Sequence, residues 1–211
     1  HCQKRVRPDS GGEKKELKMK YDIILAGVGG QGILSIAFVI DNAALEDGLF
    51  FKQAEVHGMS QRGGAVQSHL RLSSSEIFSD LIPLGEADMI LGVEPLETLR
   101  YFDYLKPKGA VVSSSTPFVN IPDYPRLEDV YLEIKKAPVN VLIDSEKLAK
   151  EAGSPKAQNM VMLGAASVFL PLKEENLKKD IGVLFERRGA QIIQTNLRAF
   201  DLGRKAALEK H

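Results

Sequence analysis

The sequence predicts a three-layer α/β fold with a mostly parallel sheet and a helical C-terminal third. Three observations lead there. Between Tyr21 and Ile143, short apolar runs alternate with segments of helical period, the pattern of strands crossing over through helices. A glycine-rich turn joins the first apolar run to the first helical segment. Beyond Asp144 every segment is helical in pattern.

The elements follow in order. Ile23-Ile24-Leu25-Ala26 is a short apolar run ending at Gly27, as in a buried parallel strand. Ile33 to Ile40 is apolar at every position but Ser35. A helix apolar all round is buried on more than one side, either within the subunit or against a partner. Leu49–Gln53 is the second strand, and a polar, glycine-rich loop spans Glu55 to Gly64. Ala65–Leu72 alternates and predicts a strand with one exposed face. Ala87–Val93 is a buried strand, and Pro95 opens a helix with an apolar stripe at Leu96, Leu99, Tyr101, Phe102 and Leu105. Gly109–Val112 begins the next strand. Pro117, Pro122, Pro125 and Pro138 mark a loop holding a short helix at Leu127–Ile134. Val139–Ile143 is the last strand, with Asp144 or Ser145 as helix cap. Met160–Leu170, with Asn159 as cap, Glu174–Arg188 and Ala190–Leu208 are helical.

Composition bounds the function. At 211 residues, about 70% of the unfolded surface is buried on folding, enough for one large core. Hydrophobic residues at 44% and charged residues at 27% argue against a disordered chain. Lys and Arg number 28, as do Asp and Glu, so no global charge draws the chain to nucleic acid or to an anionic membrane. No apolar run is long enough for a membrane span. The first 18 residues hold six of the bases and three of the acids, so Met19 onward is net −3. Residues 1–18 read as an extension, and 19–211 as a single domain. The one cysteine, Cys2, allows no intrachain disulfide and no four-thiolate metal site from these residues alone. Cysteine usage points to the cytoplasm.

Gly27-Val28-Gly29-Gly30-Gln31-Gly32 fits G-x-G-x-x-G between a strand and a helix. Glycines let the backbone approach a phosphate, and a helix N-terminus favours its charge. A tight packing turn without a ligand fits the same spacing. Glu55 stands where an acidic residue could meet a ribose.

A second constellation is denser: Glu55, His57, Gly58, Ser60, Gln61, Arg62, Gly63 and Gly64 fall within ten residues. Such a loop buries little apolar area and suits contact work. Arg62 offers a planar fork to a phosphate or carboxylate. His57 is either an acid/base group or a structurally hydrogen-bonded histidine. Gly63 and Gly64 admit another backbone. Glu94 stands at a strand end, where carboxylates face ligand crevices, whereas Glu97 suits the first turn of a helix. The chain has no G-x-x-x-x-G-K-[ST], H-E-x-x-H or G-x-S-x-G motif, and no thiamine-diphosphate Gly-Asp-Gly signature. A P-loop enzyme, zinc protease or free-standing hydrolase is therefore poorly supported.

These motifs carry a resemblance. Met19-Lys20-Tyr21-Asp22-Ile23, the glycine turn, and Glu55-Val56-His57-Gly58-Met59-Ser60-Gln61-Arg62-Gly63-Gly64 together resemble the gamma subunits or domains of 2-oxoacid:ferredoxin oxidoreductases, in particular the small-subunit family of the indolepyruvate branch. Leu81-Ile82-Pro83, Gly85–Asp88, Glu94–Glu97 and Asn159–Gly164 add to it, so the resemblance covers about Met19 to Phe200.

The resemblance implies a Rossmann-like subunit of a thiamine-diphosphate enzyme. That enzyme decarboxylates a 2-oxoacid oxidatively, joins the acyl group to coenzyme A and reduces ferredoxin; aryl pyruvates give arylacetyl-CoA and carbon dioxide. It further implies that thiamine diphosphate, Mg2+ and 4Fe-4S clusters sit on a large alpha subunit. This chain would then hold no cofactor alone, would meet ferredoxin through the complex, and could pair with itself when isolated. Coenzyme A could meet Gly27, Gly29, Gly30, Gln31 and Gly32 with Arg62. Other readings stand beside this one: a stand-alone NAD(P)-binding protein, an assembly module with an empty turn, or a subunit of the pyruvate, 2-oxoisovalerate or 2-oxoglutarate branch.

Overall fold

The computed structural model describes residues 18–57, 63–119 and 121–210. Six strands form one sheet: β1 (Lys20–Val28), β2 (Phe50–His57), β3 (Ala65–Ser73), β4 (Ala87–Gly92), β5 (Leu105–Ser114) and β6 (Val139–Ile143), in the order β2-β3-β1-β4-β5-β6. β1, β4, β5 and β6 pair in parallel. β3 runs antiparallel to both β1 and β2. The sheet is thus mixed and mostly parallel.

The helices are α1 (Ile33–Glu46), α2 (Pro95–Leu99), α3 (Leu127–Ile134), α4 (Ser145–Ala152), α5 (Gln158–Ala166), α6 (Glu174–Phe185) and α7 (Ala190–Leu208). Alternate side chains of each strand feed opposite layers. Ile23, Leu25, Met89, Leu91 and Val112 join a large core with residues of α1, α4, α5, α6 and α7. Ile24, Ile90 and Val111 join a smaller one with Val130 and Ile134 of α3. That is the expected three-layer architecture, with its helical C-terminal third on one face.

α5 and α7 touch backbone to backbone. A Cβ on Gly164 would lie 1.9 Å from the Phe200 carbonyl oxygen, and one on Gly203 would lie 1.9 Å from that of Val161. Two glycines therefore set the separation of these helices.

Several local expectations give way to tertiary pairing. β2 continues through Glu55 to His57, because each residue has a partner on β3. None of β3 is exposed, since it lies inside the sheet. The helix expected to reach Leu105 ends at Leu99, and Leu105 opens β5 opposite Ala87. α5 stops at Ala166. Of the apolar run in α1, Leu34 and Phe38 are exposed, so the run is not buried all round within the subunit itself. The cap of α2 is Glu94, whose carboxylate accepts from the Glu97 amide at 2.7 Å. Asp144 caps α4, accepting from the Lys147 amide at 2.9 Å.

Candidate functional site

β1 leads into α1 through the glycine turn, and three of its glycines have a structural reason. A Cβ on Gly27 would fall 2.3 Å from Val93 Cγ2, so the residue that follows β4 requires its absence. Gly30 and Gly32 have φ of +99° and +79°, where side chains are strained. Gly32 precedes the first turn of α1 and also packs on Asn159.

Gln31 locks the turn. Its Oε1 accepts from the Val28 amide at 2.8 Å, and its Nε2 lies 3.5 Å from the Val93 carbonyl. The Gln31 amide donates to Val28 at 3.1 Å. The side chain thereby joins the ends of β1 and β4.

The two glycine motifs meet. The Gly29 amide donates to the Gly64 carbonyl at 2.9 Å, and the Gly63 amide points back to the Gly29 carbonyl at 3.5 Å. These bonds continue the β1–β3 ladder past Val28 and Ala65. His57 closes β2 opposite Val66. The His57 side chain and the residues Gly58, Ser60, Gln61 and Arg62 lie outside the described residues, so their expected roles are not placed by the fold.

Glu55 is placed. It lies on β2, with β3 between it and β1. Gln53 donates to Glu55 Oε1 at 2.6 Å and reaches Ser68 Oγ at 3.2 Å. Glu55 also faces the buried Asp41 of α1, whose carboxyl is pushed up to about 8 by burial and then by the charge of Glu55.

A crevice opens at the C-terminal ends of β1 and β4. The chain leaves β1 through α1 toward one edge of the sheet and leaves β4 through α2 toward the other. Such a switch point is where open α/β sheets bind ligands. The cavity there has about 560 Å³ and is lined by Gly30, Gln31, Val93, Thr116, Phe118 and Lys156, among others. A neighbouring cavity of about 430 Å³ shares Gly30, Lys156 and Asn159.

Buried hydroxyls hold the walls. Ser114 Oγ accepts from the Thr116 amide at 2.9 Å and lies 2.7 Å from Ser145 Oγ, which reaches Gln158 at 3.3 Å. Glu94, 1% exposed, accepts from the Phe118 amide at 3.2 Å and from the Tyr124 hydroxyl, beyond its capping bond. Glu94 therefore clamps the loop over α2 instead of facing the crevice. Burial, followed by the bond to Glu94, raises the pKa of the Tyr124 phenol. Asn159 is not the cap of α5: it lies inside the first turn, and its Nδ2 donates to the Gly32 carbonyl at 3.3 Å.

Thr116, Phe118, Lys156 and Gln158 escaped sequence reasoning, because only strand order brings them to the turn. A separate cavity of about 420 Å³ lies at the opposite end of β1. Its Asp22 and Arg71 already satisfy one another at 2.9 Å. Among the described residues no cluster of His, Cys, Asp and Glu could hold a metal ion, and no helix is long and apolar enough to cross a membrane.

The chain is a three-layer α/β fold with an open crevice at its sheet's switch point. The family described as pyruvate ferredoxin/flavodoxin oxidoreductase matches residues 22–206, and the chain belongs to it as a beta/gamma-type subunit, part of an oxidoreductase complex acting on 2-oxoacids. It is 38% identical over 200 residues to the indolepyruvate oxidoreductase subunit IorB of Thermococcus kodakarensis, covering 90% of this chain and 97% of that protein. The 2-oxoglutarate:ferredoxin oxidoreductase of Magnetococcus marinus, solved with 2-oxoglutarate, coenzyme A and succinyl-CoA bound, superposes with a TM-score of 0.74 at 27% identity. That match covers 90% of this chain but 31% of the longer one. The keto/oxoacid ferredoxin oxidoreductase gamma subunit of Geobacter sulfurreducens matches with a TM-score of 0.63 at 25% identity, covering 90% of this chain and 99% of that one.

Proposed function

We propose that the chain is the small subunit of an indolepyruvate-type 2-oxoacid:ferredoxin oxidoreductase in the cytoplasm. The complex converts an aryl pyruvate, coenzyme A and oxidised ferredoxin to arylacetyl-CoA, carbon dioxide and reduced ferredoxin. The 38% identity to an indolepyruvate subunit along nearly its whole length supports the aryl-pyruvate branch. Identity to the 2-oxoglutarate enzyme is 27%.

The observation that carries a coenzyme A role is the Gly29–Gly64 bond, which joins the second glycine motif to the turn whose Gly30 and Gln31 line the switch-point crevice. A backbone free of side chains there lets a diphosphate approach. The Magnetococcus enzyme, which shares the fold, was solved with coenzyme A bound. Thiamine diphosphate, Mg2+ and the 4Fe-4S clusters belong to a large alpha subunit, consistent with the single cysteine. A nicotinamide role draws less support, because β3 separates Glu55 from the strand that carries the turn.

The test is co-expression with the large subunit. The purified complex should turn over indolepyruvate with kcat/KM about tenfold or more above that for pyruvate or 2-oxoglutarate, a ratio within reach of pocket selectivity. The chain alone should show no turnover and no iron–sulfur absorbance. Thiamine-dependent decarboxylation by the chain alone would overturn the division of labour. Preference for pyruvate or 2-oxoglutarate would move the complex to a sister branch.

A further inference from the structure

α1 carries an apolar stripe that the described residues leave open. Leu34, Phe38 and Leu45 are 52%, 39% and 56% exposed. At about 100° per residue they fall within about 40° of one another, on one line along the helix. At about 1.5 Å per residue that line runs about 16 Å. The opposite side of α1 is the one the subunit uses: Ile36, Val39, Ile40 and Ala43 belong to the large core.

The stripe is free of exposed charge. From Ile33 to Leu45 the one charged residue is Asp41, and it is buried. Asn42 turns its amide to the Phe38 carbonyl of its own helix at 2.7 Å. Single exposed apolar side chains are ordinary, but an uncharged row of them marks the centre of an interface. The helix cannot roll to bury it, because both ends are fixed. Asn159 donates to the Gly32 carbonyl at 3.3 Å, and Asp47 accepts from the Lys173 amide and from Asn176, each at 2.9 Å. A partner therefore meets side chains already held in place, which lowers the cost of binding.

The position of the stripe selects the partner. Gly32 directly precedes α1, and Gly30 and Gln31 line the crevice, so the stripe begins at the edge of the crevice. On the functional reading above, coenzyme A collects its acyl group at thiamine diphosphate on the large subunit, so the crevice and that subunit must meet. A second copy of this chain seated on the stripe would stand in the way. The Magnetococcus chain carries the same fold as 31% of its length, tethered to the rest, whereas the match spans 97% of the Thermococcus subunit. An untethered subunit needs a contact surface in place of the tether. We propose that Leu34, Phe38 and Leu45 dock the large subunit, through an uncharged apolar surface of that chain. The inference rests on the functional reading and adds to it the face by which the two chains join.

The test titrates the purified chain into the purified large subunit, reading Kd and recovered turnover. Leu34→Gln/Phe38→Gln should raise Kd by about thirtyfold or more, the weight of one interface hot spot. Leu45→Gln, at the end of α1 away from the crevice, should raise it by about threefold or more. Melting temperatures of both variants should match wild type, because the replaced side chains are exposed. Leu132→Gln, exposed on α3 in the opposite layer, should leave Kd unchanged. At saturating concentrations of the double variant, kcat and KM for coenzyme A should return to wild-type values, which separates docking from the crevice. A Kd within about threefold of wild type for the double variant, or an equal loss in Leu132→Gln, would overturn the docking surface. So would a dimer of the chain alone that the double variant splits without losing affinity for the large subunit, which would give the stripe to a second copy. Those results in a wild-type chain that still binds the large subunit leave the functional reading intact. A wild-type chain that never binds it sinks both.

Discussion

Gly32 and Asn159, 127 residues apart in sequence, pack with no space for a methyl group between them. A Cβ on Gly32 would lie 2.5 Å from Asn159 Nδ2, the atom that donates to the Gly32 carbonyl at 3.3 Å. The contact ties the start of α1 to the first turn of α5 and so fixes two walls of the crevice. Gly32→Ala meets two costs, the steric overlap and a φ of +79°. Together they should remove about 2–3 kcal/mol of stability in urea unfolding. Adding Asn159→Ala should recover the steric share and leave the backbone share of about 1 kcal/mol. A single variant within about 0.5 kcal/mol of wild type would contradict the packing argument.

Glu94 is the second fixed point. Its buried carboxylate accepts from the Glu97 amide, the Phe118 amide and the Tyr124 hydroxyl. Glu94→Ala removes a helix cap and strands donors, so a loss of about 2–4 kcal/mol is expected. Tyr124→Phe removes one donor and should cost about 1 kcal/mol. Hydrogen exchange gives the local readout: the Phe118 amide should exchange faster in Glu94→Ala while amides of β1 hold. Uniform acceleration across the sheet would argue against a local clamp.

The reciprocal contacts of Gly164 and Gly203 make the α5–α7 seam the least tolerant place in the helical layer. Each added methyl would sit 1.9 Å from a carbonyl oxygen of the other helix, and backbone cannot yield as a side chain tip does. Gly164→Ala or Gly203→Ala should cost about 3 kcal/mol or more. Gly182→Ala is the control, since nothing lies within 4 Å of a Cβ there. Replacing that helical glycine should stabilise by about 0.5–1 kcal/mol. Thermal unfolding of the three variants decides it, and equal melting temperatures would refute the seam.

Local signals in the sequence reached as far as local forces do. Leu127–Ile134 and Val139–Ile143 match their elements at both ends, because Pro125 and Pro138 punctuate a helical period and an apolar run. The insertion of β3 between β1 and β2 was not legible, since it depends on the distant pairing of Ile23 with Leu70. The same pairing joins two motifs that sequence showed only as separate, through Gly29 and Gly64.

Asp41 leads to a prediction about pH. It lies on α1, 7% exposed, with Oδ1 lacking a partner among the described residues. Burial, and then the Glu55 carboxylate, push it up to about 8. An unfolded aspartate loses its proton near pH 4. From about pH 4 to about 8 the folded chain therefore holds a proton that the unfolded chain has released, and each rise in pH favours unfolding. Below that window Asp41 costs nothing, and above it the penalty is complete. Asp41→Asn should match wild type below about pH 4 and gain on it steadily to a plateau above about pH 8, by an amount on the order of a few kcal/mol. Glu55→Gln should shrink that gain without abolishing it, because burial is the larger cause. Urea unfolding of wild type and both variants across the window measures the differences directly. A constant difference between Asp41→Asn and wild type from about pH 5 to about pH 8 would show that Asp41 is already ionised in the fold.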